Sequence, residues 1–443
     1  LTQVQAKMTI FFCALFCWIT AVIGRTSAFH VALCPGIYPR QTQHSPSCSL
    51  FMAKEEEPYS CIATSTRNGT IKTKRVKKDE MVVLNNRTYS LSSPGEWMES
   101  VETKEGTHGA YTVLRCDIQT NRKQGVDSDY NTNTIGNIWG EGFNFDRLRS
   151  SYEAMFCKSG DESMSLALEQ SKSMFQYLLN DACDNLTQME IEKEESKTLM
   201  VTLLWQPRPR KGSEEPNSNE ESISVRAHAF SSNTASIPMQ YSPNPISAAI
   251  ALSKDEVSSH MNLLPARHNS IPEAKSSSWC RRRRPLIEKF KTKDVGEVLL
   301  TMPVPSQTIK NKGECEWELL EGLTSNLFVV YCDGSIRTAR DHVLGGYARH
   351  LVLEAAERNG LRVSHEPILL SDARRGLWSE IFVTSSIRLV IPLAKLIIPV
   401  PDQEEDGSFA FEELWSEPSL DTLSWDTRRW KLLYDDIIKY QCR

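Results

Sequence analysis

The stretch "ECEWELLEGLTSNLFVVYCDGSIRTA", residues 314–339, sets a carboxylate, Glu321, beside a glycine just ahead of a β-prone run. Leu327 to Tyr331 is apolar and strand-forming, and Asp333-Gly334 is a two-residue hairpin signal. A charge at the mouth of such a hairpin is either solvated or holding something. Farther on, "GGYAR" (345–349) begins a helix with apolar positions at Tyr347, Leu351, Val352 and Ala355, and Asn359-Gly360 ends it. Its first turn offers free backbone N–H groups at the positive end of a helix dipole, and the glycines let an anion approach closely. That is a ready phosphate site. "EIFVTSSIRLVIPL" (380–393) reads as a buried strand broken by Thr384, Ser385 and Ser386, whose hydroxyls need hydrogen-bond partners if buried. Upstream, "PEAKSSSWCRRRRPL" (272–286) places an amine, Lys275, in a region otherwise patterned for a packed element.

These groups need elements to position them, and from about Lys78 the chain reads as folded. "GAYTVLRC" (109–116), "TLMVTLLW" (198–205) and "ISVRAHAF" (223–230) are strands, and residues 161–180 have helical spacing at Met164, Leu168, Ser171 and Phe175. Residues 207–222 are a low-complexity loop of Pro, Ser and Glu. The expected organisation is a presequence and tail over 1–75, a first α/β domain over 78–247 and a second over 256–440, with no internal repeat.

Composition limits the alternatives. The 443 residues are 40% hydrophobic and 24% charged, as in a soluble globular protein, and the net charge of −5 argues against a general grip on nucleic acid. The run Arg281–Arg284 is the longest unbroken basic run and reads as a solvated helix face. The 12 cysteines form no CxxC pair and no Cys/His spacing of a zinc site, so no metal is expected. Asn68, Asn86 and Asn185 sit in glycosylation sequons, which are frequent by chance.

At the N-terminal end, Met8 reads as the start. Ile10–Ile23 is apolar except for Thr20, too short for the roughly 20 residues of a membrane span but suited to a signal-peptide core. Residues 29–53 lack any acid, as transit peptides do. Ser27-Ala28 followed by Phe29 resembles the bipartite presequence of algae with secondary plastids. The expected address is a plastid, with secretion or the endomembrane system as the alternative, and no stable membrane span in the mature protein.

"LLEGLTSNLFVV", "LGGYARHLVLEAAERNGLRV" and "SEIFVTSSIRLVIPL", in that order, resemble the class-IV aminotransferases. These are pyridoxal phosphate (PLP) enzymes of fold type IV, including branched-chain and D-amino-acid aminotransferases and 4-amino-4-deoxychorismate lyase. The resemblance runs from about Pro272 to Pro392, with weaker likeness at "GAYTVLRC" and "FNFDRLRSSY" (143–152). It implies two α/β domains with the cofactor between them, and a homodimer. It gives Lys275 the Schiff-base linkage and the α-proton, and Glu321 the pyridinium nitrogen. The phosphate falls to the helix start at Tyr347 and Ala348, to Ser385 and Ser386, and to Arg147. The implied reaction moves an amino group between an amino acid and a 2-oxo acid. Elimination of pyruvate from aminodeoxychorismate is the alternative, and a PLP-binding protein without turnover a more remote one. Three departures stand out. Asn144 replaces a common histidine, Ala348 replaces a hydroxyl residue, and Trp279-Cys280 replaces the Asn-Tyr of branched-chain enzymes.

Overall fold

The computed structural model describes residues 59–65, 70–123, 130–156, 162–187, 197–208, 222–232, 245–251, 273–304, 316–401, 409–417 and 427–441. The presequence reading, the sequon at Asn68 and most of the 207–222 loop lie outside these residues.

Small, alternating residues open the fold. "SCIATS" forms β1 (Ser60–Ser65), which buries Cys61 and Ala63 and pairs with β2 (Ile71–Arg75). The sequence reading assigned these residues to a tail. They are instead the start of the first sheet, missed because Cys and Ala carry a weak strand signal beside the usual β-branched and aromatic residues. A hairpin, β3 (Met81–Leu84) and β4 (Arg87–Ser90), turns at Asn85-Asn86, both with positive φ as a type I′ turn requires. Then come α1 (Pro94–Glu105), β5 (Ala110–Lys123), β6 (Tyr130–Trp139), α2 (Glu141–Phe156) and α3 (Glu162–Thr187). Strands β7 (Lys197–Pro207) and β8 (Ile223–Ser232) complete a six-stranded sheet in the order β2-β1-β8-β7-β5-β6. Helix α3 covers this sheet because Met164, Ala167, Ser171, Met174, Phe175, Leu178 and Ala182 recur three and four residues apart on one face, and all are buried.

The second sheet starts with β9 (Ile246–Ile250), which straddles the domain limit drawn from sequence and pairs wholly with C-terminal strands. Two short helices follow, α4 (Ser278–Arg282) and α5 (Arg284–Phe290), then β10 (Val295–Pro303), β11 (Trp317–Gly322), β12 (Asn326–Tyr331) and β13 (Ile336–Arg337). Helix α6 (Tyr347–Arg358), β14 (Val363–Ser364), α7 (Leu370–Arg374), β15 (Trp378–Ser385), β16 (Leu389–Pro401), β17 (Phe409–Ser416) and α8 (Arg429–Gln441) complete the chain's elements. The nine strands run β11-β10-β9-β16-β15-β12-β13-β14, with β17 on β16. One further pairing, Glu321 with Asn326, joins β11 to β12 and closes six of the strands into a circuit.

One sequence expectation fails locally. Residues 380–393 are not one broken strand but a hairpin: β15 ends at Ser385, Ser386–Arg388 turn, and β16 begins at Leu389 with φ 55°. The apolar residues on both sides belong to different strands of the same core, and the hydroxyls mark the turn between them.

Candidate functional site

Glu321 is the next-to-last residue of β11 and only 2% exposed. The three-residue turn after Gly322 brings Asn326 opposite, where its Nδ2 donates to Glu321 Oε2 at 3.2 Å and to the Leu344 carbonyl at 2.7 Å. The Leu344 N–H also donates to Glu321 Oε2, at 3.1 Å. Hydrogen bonds to a charged acceptor stabilise by roughly 1.5–3 kcal/mol each, so this cradle offsets part of the cost of burying a carboxylate. Glycine at 346 is needed here, because a Cβ would lie 2.2 Å from Asn326 Oδ1. The helix start and the carboxylate are therefore built against one another.

Arg147 comes from α2, in the other half of the chain, and is 7% exposed. Its Nη2 donates to Thr112 Oγ1 at 2.9 Å and Asn144 Oδ1 at 2.6 Å, and its Nη1 to the Gly345 carbonyl at 3.5 Å. Asn144, a departure noted in the sequence, is buried and clamps the guanidinium. It accepts from Thr112 Oγ1 at 3.0 Å, and its Nδ2 is turned back to the Gly140 carbonyl at 2.9 Å. Among the described residues Arg147 has no acidic partner, and its Nε has no acceptor. Burial without a counter-charge pulls its pKa down to about 10.

The turn after β15 supplies Ser385 and Ser386. Arg115, 1% exposed on β5, donates from Nη1 to the Ile387 carbonyl and from Nη2 to Thr198 Oγ1 at 3.2 Å, and its Nε pairs with Asp117 at 3.2 Å. The first sheet thereby holds a turn of the second. Beside it Thr384 is buried, with a hydroxyl that has no partner among the described residues. Helix α6 points its first turn the same way. The Gly346 carbonyl accepts from His350 N, which leaves the N–H groups of the first turn outside the helix's own ladder. Ala348 faces the cavity, but Tyr347 does not: its ring packs over Gly140, where a Cβ would meet it at 2.4 Å, and its hydroxyl donates to Gln441 at 3.3 Å. Of Tyr347, only the backbone could serve an anion.

Lys275 is placed by its backbone. Its N–H donates to Ser151 Oγ at 3.1 Å, its carbonyl accepts from Tyr111 N at 2.9 Å, and Ser276 bridges to Ala110. The ammonium then lies 5.0 Å above the Tyr111 ring. A cavity of about 450 Å³ receives all of these groups: Lys275, Glu321, Arg147, Ala348, Ser385 and Ser386 line it together. The basic run behaves differently from a solvated face. Arg281 is exposed and Arg284 reaches Glu99 at 2.5 Å, but Arg282 and Arg283 open onto the cavity.

Sequence reasoning missed Asn326, Thr112, Tyr111 and Arg115. The strongest signal was for Asn326, five residues after the carboxylate and inside the quoted motif; Tyr111, Thr112 and Arg115 lie in the weaker likeness at "GAYTVLRC".

Chemically, the cavity can hold a dianion at the end framed by Arg147 and the β15–β16 turn, a cation against Glu321, and an amine-reactive carbon at Lys275. Among known proteins, residues 313–396 match the family described as amino-transferase class IV, a segment that contains Glu321, Ala348, Ser385 and Ser386 but neither Lys275 nor Arg147. The resemblance to class-IV aminotransferases stands on that segment, and the mixed α/β architecture agrees with it. No curated protein matches. Among solved structures, a fold IV-transaminase, CpuTA1, from Curtobacterium pusillum is 15% identical with a TM-score of 0.45, over 81% of this chain and 94% of that one. A branched-chain aminotransferase from Thermoproteus uzoniensis, with norvaline, is 12% identical with a TM-score of 0.45, over 87% and 95%. A PLP-bound hypothetical aminotransferase from Mycobacterium tuberculosis is 14% identical with a TM-score of 0.44, over 85% and 99%. At this similarity the neighbours assign neither substrate nor activity to the chain.

Proposed function

We propose that this protein is a PLP-dependent aminotransferase that passes an amino group from an amino acid to a 2-oxo acid. The observation that carries the reading is Arg147: a guanidinium buried without an acid, with an unused Nε, facing the cavity that Lys275 and Glu321 share. A buried cation so placed calls for a bound anion. The cofactor's phosphate answers it, together with Ser385, Ser386, the orphan Thr384 hydroxyl and the first-turn N–H groups of α6.

When bound, the cofactor supplies an electron-withdrawing pyridinium that makes the substrate α-proton removable. The chain's own residues do the rest. Glu321, fixed by Asn326 and Leu344, presents a carboxylate that keeps a neighbouring ring nitrogen protonated. Lys275 would hold the cofactor through its amine, and the same amine would be the group that takes up the substrate α-proton. Asn144 and Thr112 orient Arg147 without neutralising it.

The test is spectral and covalent. Purified protein with PLP should show a visible band, borohydride should fix the cofactor, and peptide mapping should find it on Lys275. Single amino acids added without an acceptor should then convert the visible spectrum to that of the aminated cofactor. A colourless protein that ignores PLP would sink the reading. Cofactor uptake with no conversion, but pyruvate release from aminodeoxychorismate, would replace the transferase by the lyase.

We propose further, from the sequence pattern alone, that residues 8–54 are a presequence for a secondary plastid. A fusion of residues 8–60 to a fluorescent protein should co-localise with chlorophyll, and Phe29→Ala should prevent that. Cytosolic fluorescence of the intact fusion would refute it.

A further inference from the structure

The groups at the anion end of the cavity stand on corners of the chain, and each corner has something behind it. Ser385 and Ser386 open a turn whose next residues, Ile387 and Arg388, are exposed. Arg147 belongs to α2, which starts directly after Gly140, and Tyr347 opens α6 with its ring against that same glycine.

One carboxylate stands behind both corners. Asp117 is largely buried on β5 and lines no part of the cavity. Its Oδ1 accepts from Arg115 Nε at 3.2 Å and from Thr198 Oγ1 at 3.3 Å, and its Oδ2 accepts from the Trp139 indole at 2.6 Å. Two residues apart on a strand, Asp117 and Arg115 share a face, and Trp139 lies opposite Arg115 on β6. Between Cys116 and Ile118 the β5–β6 register shifts by one residue, an irregularity of the kind that re-aims a side chain, and Asp117 sits in it. All three neighbours donate to Asp117, so the position calls for an acceptor-only side chain. An amide would turn an N–H toward one of them.

Two arms lead from this carboxylate to the anion end. Along the first, the Arg115 guanidinium is held at Nε by Asp117 and at Nη2 by Thr198, and gives Nη1 to the Ile387 carbonyl, one residue beyond Ser386. Along the second, the fixed Trp139 indole sets the next residue, Gly140, whose carbonyl accepts from both the backbone N–H and the Nδ2 of Asn144 at 2.9 Å. Asn144 in turn clamps Arg147 at 2.6 Å.

We propose that Asp117 is the positioning residue of the anion end: it sets Arg115 and Trp139, and through them the β15–β16 turn, Asn144 and Arg147. The inference rests on the aminotransferase reading only for the identity of the anion, the phosphate of PLP. The cofactor-free protein should be titrated with PLP and with pyridoxal, which carries the same aldehyde and no phosphate. Inorganic phosphate is the third probe, followed by the melting temperature. Asp117→Asn should weaken PLP about tenfold, the scale of one charge-assisted hydrogen bond, and leave pyridoxal within about twofold. The rise in melting temperature that phosphate gives wild type should disappear in the same variant. Arg115→Lys and Trp139→Phe each cut one arm while keeping the charge or the ring. Each should weaken PLP about threefold and leave pyridoxal unchanged, and they decide the question if Asp117→Asn does not fold. Equal losses for PLP and pyridoxal would make the cluster an ordinary structural brace and overturn the proposal, as would wild-type PLP affinity in Asp117→Asn. Phosphate protection that Asp117→Asn abolishes, in a protein that takes up neither aldehyde, keeps the positioning role and overturns the cofactor reading instead. A wild type that responds to none of the three probes overturns both.

Discussion

Glu321 and Arg147 are both nearly sealed from water, and the way each is held differs. The carboxylate sits on a strand end, and its hydrogen bonds come from the amide of Asn326, five residues on, and the backbone N–H of Leu344, 23 residues on. The guanidinium sits mid-helix in the other half of the chain, and it gives its hydrogen bonds to a hydroxyl, an amide oxygen and a carbonyl. Neutral groups fix the direction of a charge without cancelling it. The protein therefore carries the desolvation cost of Arg147 in advance, a cost that a bound anion would offset. The local cradle of Glu321 sits within one family-matched segment, whereas Arg147 depends on the two sheets meeting correctly.

The comparison can be broken most strongly by removing the amine that works between the two charges. Lys275→Ala should lower turnover by at least about a thousandfold and abolish borohydride-fixed cofactor, while noncovalent PLP still binds. Glu321→Gln comes next, with turnover down about a hundredfold and thermal stability little changed, since an amide keeps the shape and one acceptor oxygen. Equal activity of the variant would mean that Glu321 is structural. Arg147→Met should weaken PLP about ten- to a hundredfold, the loss of a charged hydrogen-bonding partner. The same change should raise the melting temperature of the cofactor-free protein, because an uncompensated buried charge is gone. A drop in that melting temperature would show that Arg147 is an ordinary structural cation.

A third buried ionisable group lies outside the cavity and acts on stability alone. His228 on β8 is fully buried, 2.9 Å from the Leu91 carbonyl, and burial lowers its pKa to about 4. Unfolded histidine takes up a proton near pH 6.5, and the folded one does so only near 4. Stability should therefore fall as pH drops from about 6.5 to about 4, by about 3 kcal/mol, and be flat from this cause above that range. Denaturant melts across this range should show the slope in wild type and lose it in His228→Gln.

The sequence made the C-terminal half readable because its site residues lie in motifs short enough to be local. Glu321 stands before a hairpin, Ala348 on a glycine-flanked helix start, and Ser385 and Ser386 among apolar residues. Even there, the hydroxyls were read as a break in one strand, since periodicity does not distinguish a long buried strand from two strands turning on three polar residues. The tertiary contacts were not readable. Asn144 looked like the loss of a histidine, and only the fold shows it clamping Arg147. The basic run looked solvated because four arginines in sequence do not reveal which of them, here Arg282 and Arg283, face a cavity. Tyr347, chosen with its neighbour from a helix start, points its side chain at Gly140 because the close approach of that corner leaves room there.

The lone Glu321–Asn326 rung has a consequence for how the protein breathes. It is the only pairing between β11 and β12, and its asparagine is also the clamp on the site carboxylate. A slip of one residue along that seam would send Glu321 to the opposite face of its strand, because side chains alternate. Amide hydrogens at the seam, such as Gly322 N bound to the Ser325 carbonyl at 2.8 Å, should then exchange with solvent whenever the carboxylate swings away. The exchange rate of a single backbone proton thus becomes a clock for the fraction of molecules whose site is assembled.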